Sequence, residues 1–348
     1  MSFLEKILNL SNSYQYYKNN YLKLKQEKEI KNKYDKNINS ILNKQKELEK
    51  QIKYQKKILE SQNKLLNIIF IESNLKVQGH LRNVQLQTRE LLQFIINICE
   101  ENDLTYWLDF GTLLGSIRHG GFVPWDDEAD IGMPREDYEK FINCFNNIMD
   151  KNPDINEKVK LYIGTTRYPE IKVKSTPSPC SQFVQHNPLA NVDIHPLDYY
   201  DITYENENEF LEYFNKNFNK NKRKLLNKVE NGEYNSFDEG ARIECKNMKI
   251  TFEKTEFMGS SVEGAGRKPI ATSEIFPLKK GMFEGIECNI PNNPINYLSR
   301  FYNGDAMKMP LIVHNHDRTE EVRKVIPISQ LETIYTNEIS FWENINKK

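Results

Sequence analysis

Two acids spaced two apart, Glu128 and Asp130, lie in the run Trp125-Asp126-Asp127-Glu128-Ala129-Asp130-Ile131. In an extended chain alternate side chains share a face. Glu128 and Asp130 then project together while Ala129 and Ile131 turn to the core. Carboxylates so placed hold hard divalent cations, Mg2+ or Mn2+, beside a phosphate. Asp126 joins that face if the strand begins early, and Asp127 stands in reserve. An acidic run alone is equally consistent with an exposed turn, so its surroundings decide. Upstream, Gly111-Thr112 follows an aromatic and apolar run and opens a helix. Its backbone N–H groups and hydroxyl suit an anion. Arg118-His119, at the end of that helix, adds positive charge, His119 alternatively serving as a C-terminal cap. An anion site leading to a carboxylate pair fits phosphate chemistry.

The elements that position these groups are legible by period. Leu81, Val84, Leu91, Phe94, Ile95 and Ile98 recur at helical spacing, which predicts an amphipathic helix from Val77 to Glu101. A strand is expected over Thr105–Phe110, then a short helix, a Gly120-Gly121 turn, the acidic strand, and a helix over Arg135–Met149. Further strands are expected at Ile171–Lys174, Val192–His195 and Ile286–Ile290, with a short helix at Asn296–Tyr302. Residues 205–250 are polar and helix-rich, a lid or an insert. Alternating helices and strands indicate an α/β or α+β core.

The first 75 residues differ from the rest. They hold neither Gly nor Pro, and 15 Lys against 8 Asp and Glu, a net +7 in a chain of net -1. From Ile38 a heptad register can be written, with Ile38, Gln45, Ile52, Leu59 and Leu66 at a, and Ile41, Leu48, Gln55, Gln62 and Ile69 at d. This register predicts a coiled coil and a homo-oligomer, a single packed helix being the plainer alternative. The basic arm, with a short apolar face at Phe3, Leu4, Ile7 and Leu8, suits a peripheral membrane contact. The Leu65–Ile71 run is broken by Asn67 and too short to span a bilayer. No uninterrupted apolar leader is present at the N-terminus. The five cysteines, Cys99, Cys144, Cys180, Cys245 and Cys288, are scattered without a CxxC pair, which points to a reducing, cytoplasmic setting. His314 and His316 have a spacing that permits a metal pair, but no nearby cysteine supports one.

Phe110-Gly111-Thr112 followed by Glu128-Ala129-Asp130-Ile131 resembles the nucleotidyltransferase superfamily pattern. The longer stretch GTLLGSIRHGGFVPWDDEADIGMPREDYEKF resembles, without gaps, the LicD family, which includes the fukutin relatives. Val192-Asp193-Ile194-His195-Pro196-Leu197-Asp198 is similar to the family's VDIFPLD. Glu274–Leu278, Phe283-Glu284-Gly285, and Tyr297-Leu298 with Tyr302–Asp305 are similar to later family elements. The resemblance covers roughly Val84–His316. Two departures stand out: Glu128 where the family has Asp, and Asn303 interrupting its YG.

The resemblance implies an α+β fold, a nucleotidyltransferase-like mixed sheet flanked by helices, with the long N-terminal helix outside it. It implies three regions: 1–75 as arm, 76–320 as catalytic domain and 321–348 as a helical tail. It implies transfer of a phospho-alcohol, phosphocholine-like or polyol phosphate, from a CDP-activated donor to a sugar hydroxyl of a surface glycan, with release of CMP. Glu128 and Asp130, with Asp126, would hold Mg2+ or Mn2+. Asp193, flanked by two apolar residues, would complete the metal site or take the proton of the acceptor hydroxyl. Gly111, Thr112, Arg118, His119 and Lys172 or Lys174 would contact the donor, and Trp125 would stack on base or sugar unless it is a core residue. Asp198 ranks below Asp193. No nucleic-acid partner is expected. The alternatives are an NTP-consuming nucleotidyltransferase and a coiled-coil assembly protein with a decayed site.

Overall fold

The computed structural model describes residues 3–72, 76–162, 170–173, 190–234, 249–251, 253–260, 269–302, 305–310 and 326–347. His314, His316, Lys174, Cys180 and Cys245 lie outside them. The chain divides into two compact units, Met1–Leu65 and Leu66–Lys348.

The first unit is a single helix. α1 runs Phe3–Asn67, 65 residues, a length of ~97 Å. Lys, Gln, Glu and Leu lose little rotamer freedom in a helix, and no Gly or Pro interrupts it. Every side chain from Ser11 to Gln62 is exposed, including Ile38, Ile41, Leu48, Ile52 and Leu59 of the heptad stripe. The last heptad positions, Leu66 and Ile69, belong to the second unit, where a π-helical turn, Ile68–Glu72, follows α1.

The second unit is built on a mixed sheet. β1 (Trp107–Leu108), β2 (Ala129–Pro134), β3 (Val159–Tyr162), β4 (Glu170–Val173) and β5 (Asn191–Tyr200) stand in the order β1-β2-β5-β4-β3. β2 and β5 are parallel, and the other pairings are antiparallel. A parallel pair needs a long crossover, and α4 (Arg135–Lys151) opens it directly after β2. β5 is the spine. Its ten residues pair with β2 on one side and, further along, with the antiparallel strands β6 (Ile250–Thr251) and β7 (Phe257–Ser260), the latter paired in turn with β8 (Ile270–Ala271). Ala129, Ile131, Val192 and Ile194 are fully buried beneath α2 (His80–Glu101) and α4, as the alternation requires. α2 buries the six apolar positions expected of it. The tail forms its own helix, Ile328–Asn346, whose Trp342 ring lies 5.2 Å from that of Phe94 on α2. The polar insert is led by a helix, Glu207–Glu230. Its Phe210, Phe214 and Leu225 pack on Tyr200 at the end of β5.

The strand expected at Thr105–Phe110 pairs only at Trp107-Leu108. Asp109 turns away to cap α3 (Phe110–His119), and Phe110 takes φ +39°, which no strand residue can hold. Near the end of the sheet unit, β9 (Lys279–Phe283) and β10 (Ile286–Ile290) form a hairpin. Glu284 (φ +49°) and Gly285 (φ +83°) make its two-residue turn, the left-handed pair such a hairpin needs. Among the described residues no helix is long and apolar enough to cross a membrane.

Candidate active site

The site begins at the junction of β1 and α3. The buried Asp109 carboxylate accepts from the Phe110 N–H at 2.9 Å and from the Tyr297 hydroxyl at 3.0 Å, while its own N–H donates to the Asp130 carbonyl at 3.0 Å. Those bonds hold Phe110 in its left-handed conformation. The Phe110 ring then packs edge-on against His195, centroids 4.8 Å apart. Gly111 comes next. A Cβ there would fall 2.5 Å from Asp126 Oδ2, so glycine is what allows that carboxylate to close on the helix start. The Thr112 hydroxyl accepts the Asp130 N–H at 2.7 Å. Gly111 and Thr112, expected to cradle a phosphate, thus also position the acids.

The parallel register of β2 and β5 pairs Asp130 with Asp193 and Gly132 with His195. Since alternate residues share a face, Asp130, Asp193 and His195 converge. One ligand atom from each lies within 4.8 Å of the others, and all three are buried. His195 Nε2 and Asp130 Oδ1 are hydrogen-bonded at 2.9 Å. Asn191, one step earlier on the same face of β5, donates its amide to Asp193 Oδ1 at 3.2 Å and to Glu128 Oε2 at 3.4 Å. Glu128 is thereby drawn beside Asp193. From α2, Gln85 and Thr88 donate to the backbone carbonyls of Asp126 and Asp127 and fix the loop that carries them.

Four acids crowd this space. Burial first, then the charges of Glu128, Asp130 and Asp127, hold the Asp126 carboxyl well above the ordinary carboxylate range. Part of the Asp126 surface still meets solvent, which tempers the contribution of burial; the like charges act regardless. Burial raises the nearby Tyr302 hydroxyl as well, assisted by Asp130, Asp126 and Asp109, so it stays a protonated donor. This donor set, hard oxygens with one imidazole and an excess of negative charge, fits a divalent cation.

The basic pair has a different setting. Arg118 donates from Nε to His119 Nε2 at 2.8 Å, and from Nη1 to the carbonyls of Ala306 (2.8 Å) and Lys308 (3.0 Å). Burial lowers its ionisation to about 10, which leaves it cationic at neutral pH. Its Nη2 is buried without a hydrogen-bond partner among the described residues. His119 donates from Nδ1 to the Phe70 carbonyl at 3.1 Å; burial and Arg118 push it down to about 4, so it is neutral. Trp125 is half-buried against the core. The Lys172 backbone stands opposite Asn191 on β4. Asp198, at the far end of β5, is held by Arg135 through two bonds of 3.0 and 3.1 Å. A cavity of about 660 Å³ opens beside that ion pair, and none of Asp130, Asp193 or His195 lines it.

Three members of the cluster were not singled out from sequence: His195, Asn191 and Asp109. His195 and Asn191 each lie two residues from Asp193, so the alternation that joined Glu128 to Asp130 would have found both.

Residues 103–235 match the family model described as LicD/FKTN/FKRP, nucleotidyltransferase domain. Over those residues the chain is similar to the LicD family, and it is an enzyme of the phosphotransferase class. It is 25% identical over 247 residues to the lipopolysaccharide cholinephosphotransferase LicD of Haemophilus influenzae, covering 66% of this chain and 92% of that one. It is also 41% identical over 49 residues to the human ribitol 5-phosphate transferase FKRP, a match that spans 14% of this chain and 10% of that protein.

Proposed function

We propose that this enzyme transfers a phospho-alcohol, phosphocholine-like or a polyol phosphate, from a CDP-activated donor to a sugar hydroxyl of a cell-surface glycan, releasing CMP. The observation that carries the reading is the β2–β5 register, which sets Asp130 against Asp193 behind the Gly111-Thr112 helix start. The names of the two relatives agree with it, one a cholinephosphotransferase acting on lipopolysaccharide and the other a ribitol 5-phosphate transferase.

Asp130 and Asp193 would hold the divalent cation, with Glu128 and Asp126 within the same acidic wall. Such a cation, when bound, offsets the charge of the donor diphosphate and of the departing CMP. The acceptor hydroxyl oxygen forms the new bond to phosphorus, the bond from phosphorus to the CMP oxygen breaks, and the hydroxyl proton passes to a carboxylate of the acidic wall. The α3 N-terminus supplies N–H donors to the phosphates. Arg118 Nη2, a buried cationic donor, is suited to a phosphate oxygen. The catalytic assignment of Glu128, Asp130 and Asp193, and the donor-binding assignment of Gly111, Thr112, Arg118, His119, Lys172 and Trp125, are part of this proposal. For His119, neutral and bonded to the Phe70 carbonyl, the contacts above favour a supporting role.

The exposed apolar stripe of α1 supports a homo-oligomer, since a solitary helix gains nothing from exposing Ile38, Ile41, Leu48, Ile52 and Leu59. Its excess of lysine supports a place at the inner membrane face, in the cytoplasm, near a lipid-linked acceptor.

The test is to incubate the protein with CTP and with a panel of CDP-alcohols in the presence of glycan acceptor, and to follow pyrophosphate and CMP. CMP release that depends on the acceptor is expected. Pyrophosphate from CTP, with no CMP from any CDP-alcohol, would overturn the reading in favour of nucleotidyl transfer.

A further inference from the structure

His195 occupies the position at which the VDIFPLD pattern has phenylalanine, a residue that can bind no metal. It is neither exposed nor incidental. It stands two residues from Asp193 on one face of β5 and cross-strand from Gly132, over which Trp107 and Asp109 close. Its Nε2 is 2.9 Å from Asp130 Oδ1, and its ring is held by the edge of Phe110. The three ligand atoms of Asp130, Asp193 and His195 lie within 4.8 Å of one another, close to the span of ligands around one cation.

The chemistry of that set differs from an all-oxygen one. Mg2+ demands oxygen donors in a near-ideal octahedron and sheds water reluctantly. Imidazole nitrogen suits Fe2+ and Zn2+, and the affinity of such mixed N/O sites rises along the first row from Mn2+. We propose that His195 is the third protein ligand of the Asp130–Asp193 centre, and that it makes this enzyme select a first-row transition cation over Mg2+. This rests on the metal-dependent reading above and narrows it: the resemblance implies Mg2+ or Mn2+ without preference, and His195 decides between them.

The test uses the full-length protein freed of metal by chelation. Calorimetric titration with Mn2+ and with Mg2+ measures both affinities, and pulsed EPR of bound Mn2+ reads coupling to a ligand 14N. For the wild type, Mn2+ is expected to bind at least about tenfold tighter than Mg2+, the size of one added ligand, with a clear 14N signal. In His195→Phe the 14N signal is expected to vanish and the preference to shrink, while Mg2+ still binds. His195→Gln, which keeps a polar side chain, serves if the phenylalanine variant does not fold. Mn2+ binding that is lost in Asp130→Asn but shows no 14N coupling, or an unchanged preference in His195→Phe, sinks the role of His195 and leaves the metal reading intact. Absence of any binding that depends on Asp130 sinks both.

Discussion

Two carboxylate sites in the sheet unit have opposite electrostatics. At the β9–β10 turn, Glu284 is buried, yet Lys76 Nζ and Arg82 Nη2 each donate to its Oε2 at 2.8 Å, and Arg82 Nη1 reaches Oε1 at 3.2 Å. Its Oε1 also accepts the Phe122 N–H, its carbonyl accepts from Arg89, and its N–H donates to the Gly120 carbonyl. Burial would raise this carboxyl; the bonds from Arg82 and Lys76 outweigh it and hold the group below its ordinary range. At the β2–β5 site, Asp126 is raised instead, by burial and by three further acids. The protein brings its own cations to Glu284. At the other site it gathers acids, which on the reading proposed above a cation and the donor phosphates would meet. Glu284 is thus a structural clamp, closing the Gly120-Gly121 turn behind α3; a Cβ at Gly121 would sit 2.1 Å from its Oε1.

This contrast can be broken in four ways. The largest effect is expected from Asp130→Ala, which should lower transfer by ~1000-fold or more while the melting temperature stays the same or rises, because a like charge has been removed. Wild-type turnover in that variant would end the metal-site argument. Glu284→Gln should do the reverse. Leaving Arg82 and Lys76 without their charge partner should cost about 3 kcal/mol of stability, read from denaturant midpoints, with turnover per folded molecule retained at low temperature.

The pH dependence of stability sharpens the same point. Because the Glu284 carboxyl is depressed in the fold, its contribution is full above its unfolded value of 4.5 and is lost as pH falls below that through the folded value. Acid titration of stability should therefore be shallower in Glu284→Gln than in wild type below pH 4.5. An identical slope would remove Glu284 from the account. The smallest effect is expected at Thr112. Thr112→Val removes the acceptor for the Asp130 N–H and should cost about 1–2 kcal/mol, with a loss of turnover well short of that in Asp130→Ala.

Much of this site was legible in sequence because it depends on alternation within two strands. Asp130 and Asp193 are each flanked by apolar residues that the fold buries, and Glu128 by one, Ala129. The hairpin strand Ile286–Ile290 and the helix opening at Arg135 were read with the same logic. What stayed hidden depends on long-range contacts. Arg118 reads as added positive charge and His119 as charge or cap, while their partners, the carbonyls of Ala306, Lys308 and Phe70, are announced by no local pattern. Asp198 and Asp193 look alike on one strand, but lie on opposite faces of it, and only the fold shows Arg135 claiming the former. His195 shares the face of Asp193, two residues away, but is no acid, so an alternation of acids alone does not reveal it.

The register of β2 against β5 has a consequence for folding. Asp130 and His195 are 65 residues apart in sequence and meet only across that pairing. A slip of one residue would turn β5's ligands to the opposite face. The site therefore cannot exist in a locally folded intermediate, and closing so long a loop is among the slower events of assembly. A cation that bound only the finished register would act as a latch on it, and by mass action would make the native pairing more durable where the metal is plentiful.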